Sequence, residues 1–193
     1  MARTREFDTA AAVDAAMSAF RLRGYEGTSV QDLVDATGVG RGSLYAAFGN
    51  KDGLYLAALD LYRQRFAQPL VEMLRDGTPA RQLIREVFVG LVDEIARDGS
   101  RQACLIVAAA TERVQHDLDV RDRLQKTIRA LEDALFEVLV QAQASGEVSD
   151  RRSPADLAGF LVMSMQGLRV MGAIDPDRAG LMASVEVALS SLD

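Results

Sequence analysis

The sequence predicts an all-α fold, and three observations carry that expectation. The composition is rich in Ala, Leu, Val, Arg, Asp and Glu, with 4 Pro and no Trp, which is the usage of helical proteins. Apolar residues recur at helical spacing, whereas the strict alternation of a half-buried strand is absent. Helix starts follow one recurring pattern, in which Thr78-Pro79, Ser153-Pro154 and Asp175-Pro176 each set a capping residue before a proline suited to the first helical position. Nine helices and no sheet are expected.

The first helix is predicted over 7–23, where Val13, Ala16, Met17 and Phe20 form one apolar face and Gly24 ends the run. Thr28-Ser29-Val30-Gln31 reads as a capping box, with the Thr28 hydroxyl serving the Gln31 amide and Gln31 reaching back. It opens a short helix over 29–37 that Gly38 stops. A third helix is predicted over 41–48 and is broken by Gly49-Asn50. Asn50 then caps a fourth that runs from Lys51 to about Leu74 and is kinked by Pro69. Further helices are expected over 79–97, 102–114, 120–144 (closed by Gly146), 154–171 and 176–192.

The chain has 193 residues, of which 49% are hydrophobic and 26% charged, ample for a core and a solvated surface. A single cysteine, Cys104, excludes an internal disulfide and fits a reducing cytoplasm. Met1 to Glu6 opens with charges and no apolar stretch, so no signal peptide is expected. Leu157–Ile174 approaches membrane-span length but contains Gln166 and Arg169 and follows Asp156, so a buried interface helix is expected and no membrane partner. The net charge of -6 argues against a non-specific nucleic-acid coat, yet it leaves room for a local basic reading surface. There is no nucleophile–base pair and no phosphate loop. His116, the sole histidine, has no partners for a metal set. An enzyme, a metal site and a cofactor are therefore not expected.

The two short helices joined by Gly38-Val39-Gly40 form a helix-turn-helix, which sets its second helix in the major groove of DNA. Across residues 15–54 the chain resembles the tetracycline-repressor (TetR) family. The matching residues are Ala15-Ala16, Phe20, Gly24-Tyr25, Thr28, Val30, Leu33, Ala36, Gly38-Val39, Gly42-Ser43-Leu44-Tyr45, Phe48, Lys51 and Leu54, without a gap. The resemblance implies a DNA-binding domain over 1–50, a ligand-binding and dimerisation domain over 51–193, and a dimeric repressor released from double-stranded operator DNA by a small molecule.

It also implies roles for single residues. Thr28 would hold a phosphate at the start of the second helix. Arg41 and Ser43 would reach bases or backbone, and Gly42 would let the recognition helix approach closely. Tyr45 and Lys51 would contact phosphates, and Arg3 and Arg5 would form a basic arm. Two departures stand out. Gly40 replaces the usual polar cap, and Ala46 and Ala47 replace larger side chains, so Ala46 offers only a methyl to thymine. Leu44 and Phe48 are expected in the core. The alternative reading is a helical interaction protein with a degenerate helix-turn-helix.

In the body, the segment from Cys104 to Glu112 and the later Gly167-Leu168-Arg169-Val170 resemble a subgroup of these regulators. There a cysteine opens the sixth helix, and some members sense electrophiles or oxidants with it. Cys104 at a helix start beside Arg101 would favour a thiolate, and burial as a small apolar residue is the competing reading. The expected pocket comprises Phe66, Phe88, Leu91, Cys104, Val107, Ala108, Met163 and Gln166, with Glu112 and Arg113 as further polar anchors. Leu157, Phe160, Leu161, Ser164, Met165 and Leu168 recur at helical spacing, as do Met182, Val185 and Leu189. Together these predict a four-helix dimer interface.

Overall fold

The computed structural model describes residues 7–75, 77–98 and 104–193. Among these residues the chain is helical, with no strand. The helices are α1 (Thr9–Arg23), α2 (Val30–Thr37), α3 (Arg41–Phe48), α4 (Lys51–Tyr62), α5 (Gln68–Met73), α6 (Ala80–Asp98), α7 (Leu105–Glu112), α8 (Leu118–Ala144), α9 (Pro154–Ile174) and α10 (Arg178–Leu189). A π-turn at Arg63–Ala67 joins α4 to α5, so these two correspond to the predicted fourth helix. Pro69 has no amide to donate to the Arg65 carbonyl and its ring crowds that carbonyl, and the widened turn interrupts the helix where the proline is expected to disturb it. Arg3, Arg5 and Arg101, named above as basic groups, lie outside the described residues.

Local chemistry sets most boundaries, with two corrections. Ser29, not Thr28, caps α2: its hydroxyl accepts from the Asp32 amide, and the Asp32 carboxylate accepts from the Ser29 amide. The capping box is therefore displaced by one residue, because the Thr28 hydroxyl donates instead to the Gly24 carbonyl at 2.6 Å. Likewise Asp177, not Asp175, caps the last helix, accepting from the Ala179 and Gly180 amides. Pro176 lies ahead of that cap rather than inside the helix. Gly38 takes the left-handed conformation (φ 67°), which lets its amide close the last turn of α2 on the Val34 carbonyl.

The described residues pack as two compact units. The first draws on Met1–Arg65 and Gln102–Leu124, so it holds α1 to α4, α7 and the start of α8. Its core is built on Met17, Phe20, Leu33, Leu44, Leu54, Tyr55 and Ala58, with Phe20, Tyr25 and Tyr55 in mutual aromatic contact. The division expected at residue 50 does not follow the packing, since α4 is part of this core.

The second unit draws on Phe66–Arg101 and Gln125–Asp193. Its larger core takes Leu83, Ile84, Phe88 and Val92 from α6, Leu131, Leu135 and Leu139 from α8, Leu157, Leu161 and Met165 from α9, and Leu181 and Val185 from α10. Glu147 accepts from the Arg81 amide at 2.8 Å, satisfying a free donor at the start of α6. The Arg81 guanidinium in turn holds the carbonyls of Glu147 and Leu192. α9 is long and apolar enough to cross a membrane, with a mean hydropathy of 1.5. Leu157, Ala158, Leu161, Val162, Met165, Leu168 and Gly172 are nonetheless buried within the unit, which are the positions of a core helix.

Candidate nucleic-acid interface

The pair α2–α3 is held by little of its own substance. One side chain of each helix, Leu33 and Leu44, is fully buried, while Phe48, expected in the core, is half-buried. Everything else on α3 faces outward or sits at the rim. Arg41, Gly42, Ala46 and Ala47 are exposed, and Ser43 and Tyr45 are half-buried. Gly40 gives α3 no side-chain cap, as its sequence implies.

Two features of α3 suit a reading surface. The Arg41 guanidinium lies 5.1 Å from the centre of the Tyr45 ring, one helical turn on, which restricts its freedom before any partner arrives. A methyl group added at Gly42 would meet nothing of the protein within 4 Å, so packing does not demand glycine there. The open space fits the close approach expected of this position.

Lys51 opens α4 beside this surface, after Asn50 caps the helix by accepting from the Gly53 amide at 2.9 Å. The Lys51 ammonium lies 4.0 Å from the centre of the Tyr25 ring. Tyr25 is buried, and its hydroxyl donates to Asp52 at 2.5 Å. Burial first, and then this bond, push the phenol up to about 12. Asp32 beside the α2 cap is held below the usual carboxylate range, first by the Ser29 hydroxyl and then by the Ser29 amide. Arg23 also pairs with it.

Thr28 is not part of the surface. It is 0% exposed, and its hydroxyl is committed to the Gly24 carbonyl, so it cannot reach a phosphate in this arrangement. Thr28, Ser29 and Asp32 stand too close in sequence for the capping pattern to separate them, and only burial does so. Tyr25 matches the family pattern without a role that its sequence position suggests, and the structure makes it the group on which Lys51 rests.

The comparisons with known proteins meet this geometry. Residues 12–58 match the profile of bacterial regulatory proteins of the tetR family, and residues 65–185 match that of the tetracyclin repressor-like C-terminal domain. The chain belongs to the TetR family. Over 194 residues it is 32% identical to the HTH-type transcriptional regulator YezE of Bacillus subtilis, covering 100% of both chains. Over 169 residues it is 32% identical to the HTH-type transcriptional repressor ComR of Escherichia coli, covering 87% of this chain and 80% of that one. A cysteine-substituted form of the TetR regulator CifR, solved with 26-bp double-strand operator DNA, superposes with a TM-score of 0.86. It is 31% identical and covers 99% of this chain and 100% of that one. This TetR chain is a DNA-binding transcriptional regulator.

The remaining expected sites fare differently. Of the pocket residues, Cys104, Val107 and Ala108 stand in the first unit, and Phe66, Phe88, Leu91, Met163 and Gln166 in the second. Phe88 and Leu91 are core side chains, and Phe66, Val107, Ala108 and Gln166 are half-buried. Met163 is 70% exposed on α9, too open to line an enclosed pocket of its unit. Glu112 and Arg113, expected as pocket anchors, are instead committed to the helix-turn-helix.

The dimer stripe needs the clearest correction. Leu157, Leu161, Met165, Val185 and Leu189 are buried in the protomer's own core and cannot face a second copy, and Leu168 is buried at the inner edge of the same core. α9 carries a second apolar stripe, offset around the helix, of Phe160, Met163, Met171 and Ile174, all exposed. Phe160 and Met171 of that stripe, with Ser164, Gly167, Gly180, Ser184 and the 71% exposed Val187, line an apolar groove of about 400 Å³ between α9 and α10. Of the expected stripe, Phe160, Ser164 and the inner-edge Leu168 reach that groove, and Met182 is half-buried.

Proposed function

We propose that this regulator is a cytoplasmic, non-enzymatic repressor that holds operator DNA as a homodimer and leaves it when a small molecule binds. The observation that carries the reading is the exposed face of α3. It has one forked cation steadied on an aromatic ring, a glycine that packing does not require, two bare alanines, and Lys51 at the next helix start. Arg41 suits the two acceptors of guanine, and the alanine methyls suit thymine. Lys51 and Tyr45 suit phosphates. The ComR repressor and the operator-bound CifR support the same reading by likeness. A degenerate interaction module fits less well, because the exposed groups on α3 are those that DNA would use.

The second copy would seat on the α9–α10 groove. Ser164, Gly167, Gly180 and Ser184 are small enough for close helix approach, and the exposed Phe160, Met171 and Val187 supply apolar area. Cys104 is our candidate for the effector-responsive group. It is buried at the N-cap of α7 and its sulfur accepts a bond from the Tyr62 hydroxyl at 3.4 Å, so an added group there would disturb a packed helix start.

The test is a titration of the protein against a duplex covering the DNA upstream of its own gene. Binding should be at least about a thousandfold tighter than to a scrambled duplex. Equal affinity for both duplexes would overturn the reading. Complete alkylation of Cys104 should then weaken operator binding, and unchanged binding would return that residue to a packing role.

A further inference from the structure

We propose that Glu112 and Arg113, at the end of α7, are positioning residues for the DNA-reading pair α2–α3, although they lie outside the helix-turn-helix. The inference rests on the repressor reading above and adds the device that sets the pose of the reading helix.

The geometry is a clasp on both ends of the motif. Before α2, the Glu112 carboxylate accepts from the Tyr25 amide at 2.6 Å and from the Glu26 amide at 3.2 Å. Its other oxygen occupies the space where a side chain at Gly24 would begin, only 2.0 Å from an added Cβ. Gly24 also has φ +72°, so its backbone requires glycine, and any side chain there would have to displace the Glu112 carboxylate. After α3, Arg113 donates to Asp52 at 2.8 Å, next to Lys51 on the first turn of α4. Asp117 holds the same guanidinium at 2.8 Å.

Tyr25 closes the loop. Its ring lies 4.0 Å from the Arg113 guanidinium and 4.0 Å from the Lys51 ammonium, and its hydroxyl bonds to the same Asp52 oxygen that Arg113 holds. One dipeptide thus fixes the residues that enter α2 and those that follow α3. Since α2 and α3 each fully bury one side chain, their own packing fixes their pose weakly. Charge-assisted bonds to two half-buried anchors are directional and do what a larger core would otherwise do. The carboxylate of Glu112 and the guanidinium of Arg113 are engaged in these contacts, which leaves DNA to the exposed face of α3.

The test uses the full-length protein and the duplex upstream of its own gene, titrated at several salt concentrations well below each variant's unfolding midpoint. Glu112→Ala and Arg113→Ala should lower affinity roughly two- to thirtyfold with the salt slope unchanged, because no phosphate contact is lost. Glu112→Gln keeps an oxygen acceptor for the Tyr25 and Glu26 amides and should recover most of the loss. Hydrogen exchange on the DNA-free protein gives an independent readout. The Tyr25 and Glu26 amides should exchange faster in Glu112→Ala while those of α9 do not change.

Wild-type affinity in folded Glu112→Ala would overturn the proposal, as would a salt slope lowered by about one unit, the mark of a direct phosphate contact. If Arg113→Ala fails to fold, the two Glu112 variants decide. If the wild type ignores its own upstream DNA, the repressor reading fails. Exchange then decides alone, and unchanged protection of Tyr25 and Glu26 in Glu112→Ala overturns the clasp.

Discussion

Helices α3 and α9 both leave a face open, and they do so with opposite chemistry. α3 exposes Arg41, Gly42, Ala46 and Ala47 from a helix of eight residues with a single fully buried side chain. α9 exposes Phe160, Met163, Met171 and Ile174 from a helix of 21 residues with seven buried ones. A face made of small groups and a forked cation is comfortable in water and waits for a polar partner. A face of large apolar groups is costly in water and waits for apolar area. The difference also predicts where a mutation should be felt: on α3 through affinity, on the outer face of α9 through assembly, and on its inner stripe through folding.

The largest expected effect separates the two stripes of α9. Leu161→Glu sets an unpaired charge in the core of the second unit and should cost more than about 4 kcal/mol, enough to abolish folding. Val187→Glu changes a side chain exposed in the protomer, so its helical content and midpoint should stay near wild type at equal monomer concentration. Its dimer, however, should dissociate. Circular dichroism and sedimentation read the two outcomes. A wild-type protein that sediments as a monomer at micromolar concentration would end the assignment of the groove to a second copy.

On α3 the effects are smaller and appear in binding. Arg41→Ala should remove about 1–3 kcal/mol of discrimination between the operator and a variant at one guanine position, leaving non-specific affinity nearly intact. Lys51→Ala should do the reverse, weakening binding to all duplexes and lowering the salt slope by about 0.9. Titrations of both duplexes over a salt series separate these behaviours. The same outcome for both variants would mean that α3 docks in another orientation.

How far the sequence can be read follows the same contrast. The recognition helix is legible to the residue, Arg41–Phe48, because glycines and Asn50 punctuate it and nothing else competes for those signals. The helix count is legible for the same reason, with the α4–π–α5 run counted once. α9 is legible as a helix and not as an interface. Two apolar stripes share it, and periodicity finds Leu157, Leu161, Leu168 and Phe160 together without saying which stripe meets which neighbour. The clasp is out of reach because Glu112 and Tyr25 are 87 residues apart, and no local pattern pairs a carboxylate with two distant amides. Its one sequence trace is Gly24, which reads as a helix stop, is required by its positive φ, and also leaves room for the Glu112 carboxylate.

A finer test concerns the cap of α2. Ser29→Ala should cost about 1 kcal/mol, because the Asp32 amide loses its acceptor. Gln31→Ala should stay within about 0.5 kcal/mol, since the Gln31 side chain bonds to Asp35 on an exposed face. Denaturant midpoints measure both. The reverse ranking would restore the box headed by Thr28.

The smallest effect is a pH dependence confined to the clasp, and it has an alkaline and an acid arm of opposite sign. Tyr25 has a folded value near 12 against 10.0 for the free phenol, so its protonated form is favoured by folding. The stability tied to its neutral form, through burial first and then the bond with Asp52, is therefore fully present below about pH 10 and is lost as pH rises from there toward about 12. At Asp117, burial pushes the carboxyl up, but the bonds from Arg113 and the Val120 amide outweigh it and leave the group lowered. A lowered carboxylate contributes stability above its unfolded value and loses it as pH falls. Tyr25→Phe should flatten the alkaline arm between about pH 10 and 12 and leave the acid arm in place. The phenol of Tyr55, pushed up further still by burial, keeps its own alkaline loss in that variant, so the comparison must be made between variant and wild type at each pH. Thermal midpoints from about pH 2 to about pH 12 give the measurement. An alkaline arm of unchanged depth in Tyr25→Phe would show that neither the burial of the Tyr25 phenol nor its bond with Asp52 ties stability to pH.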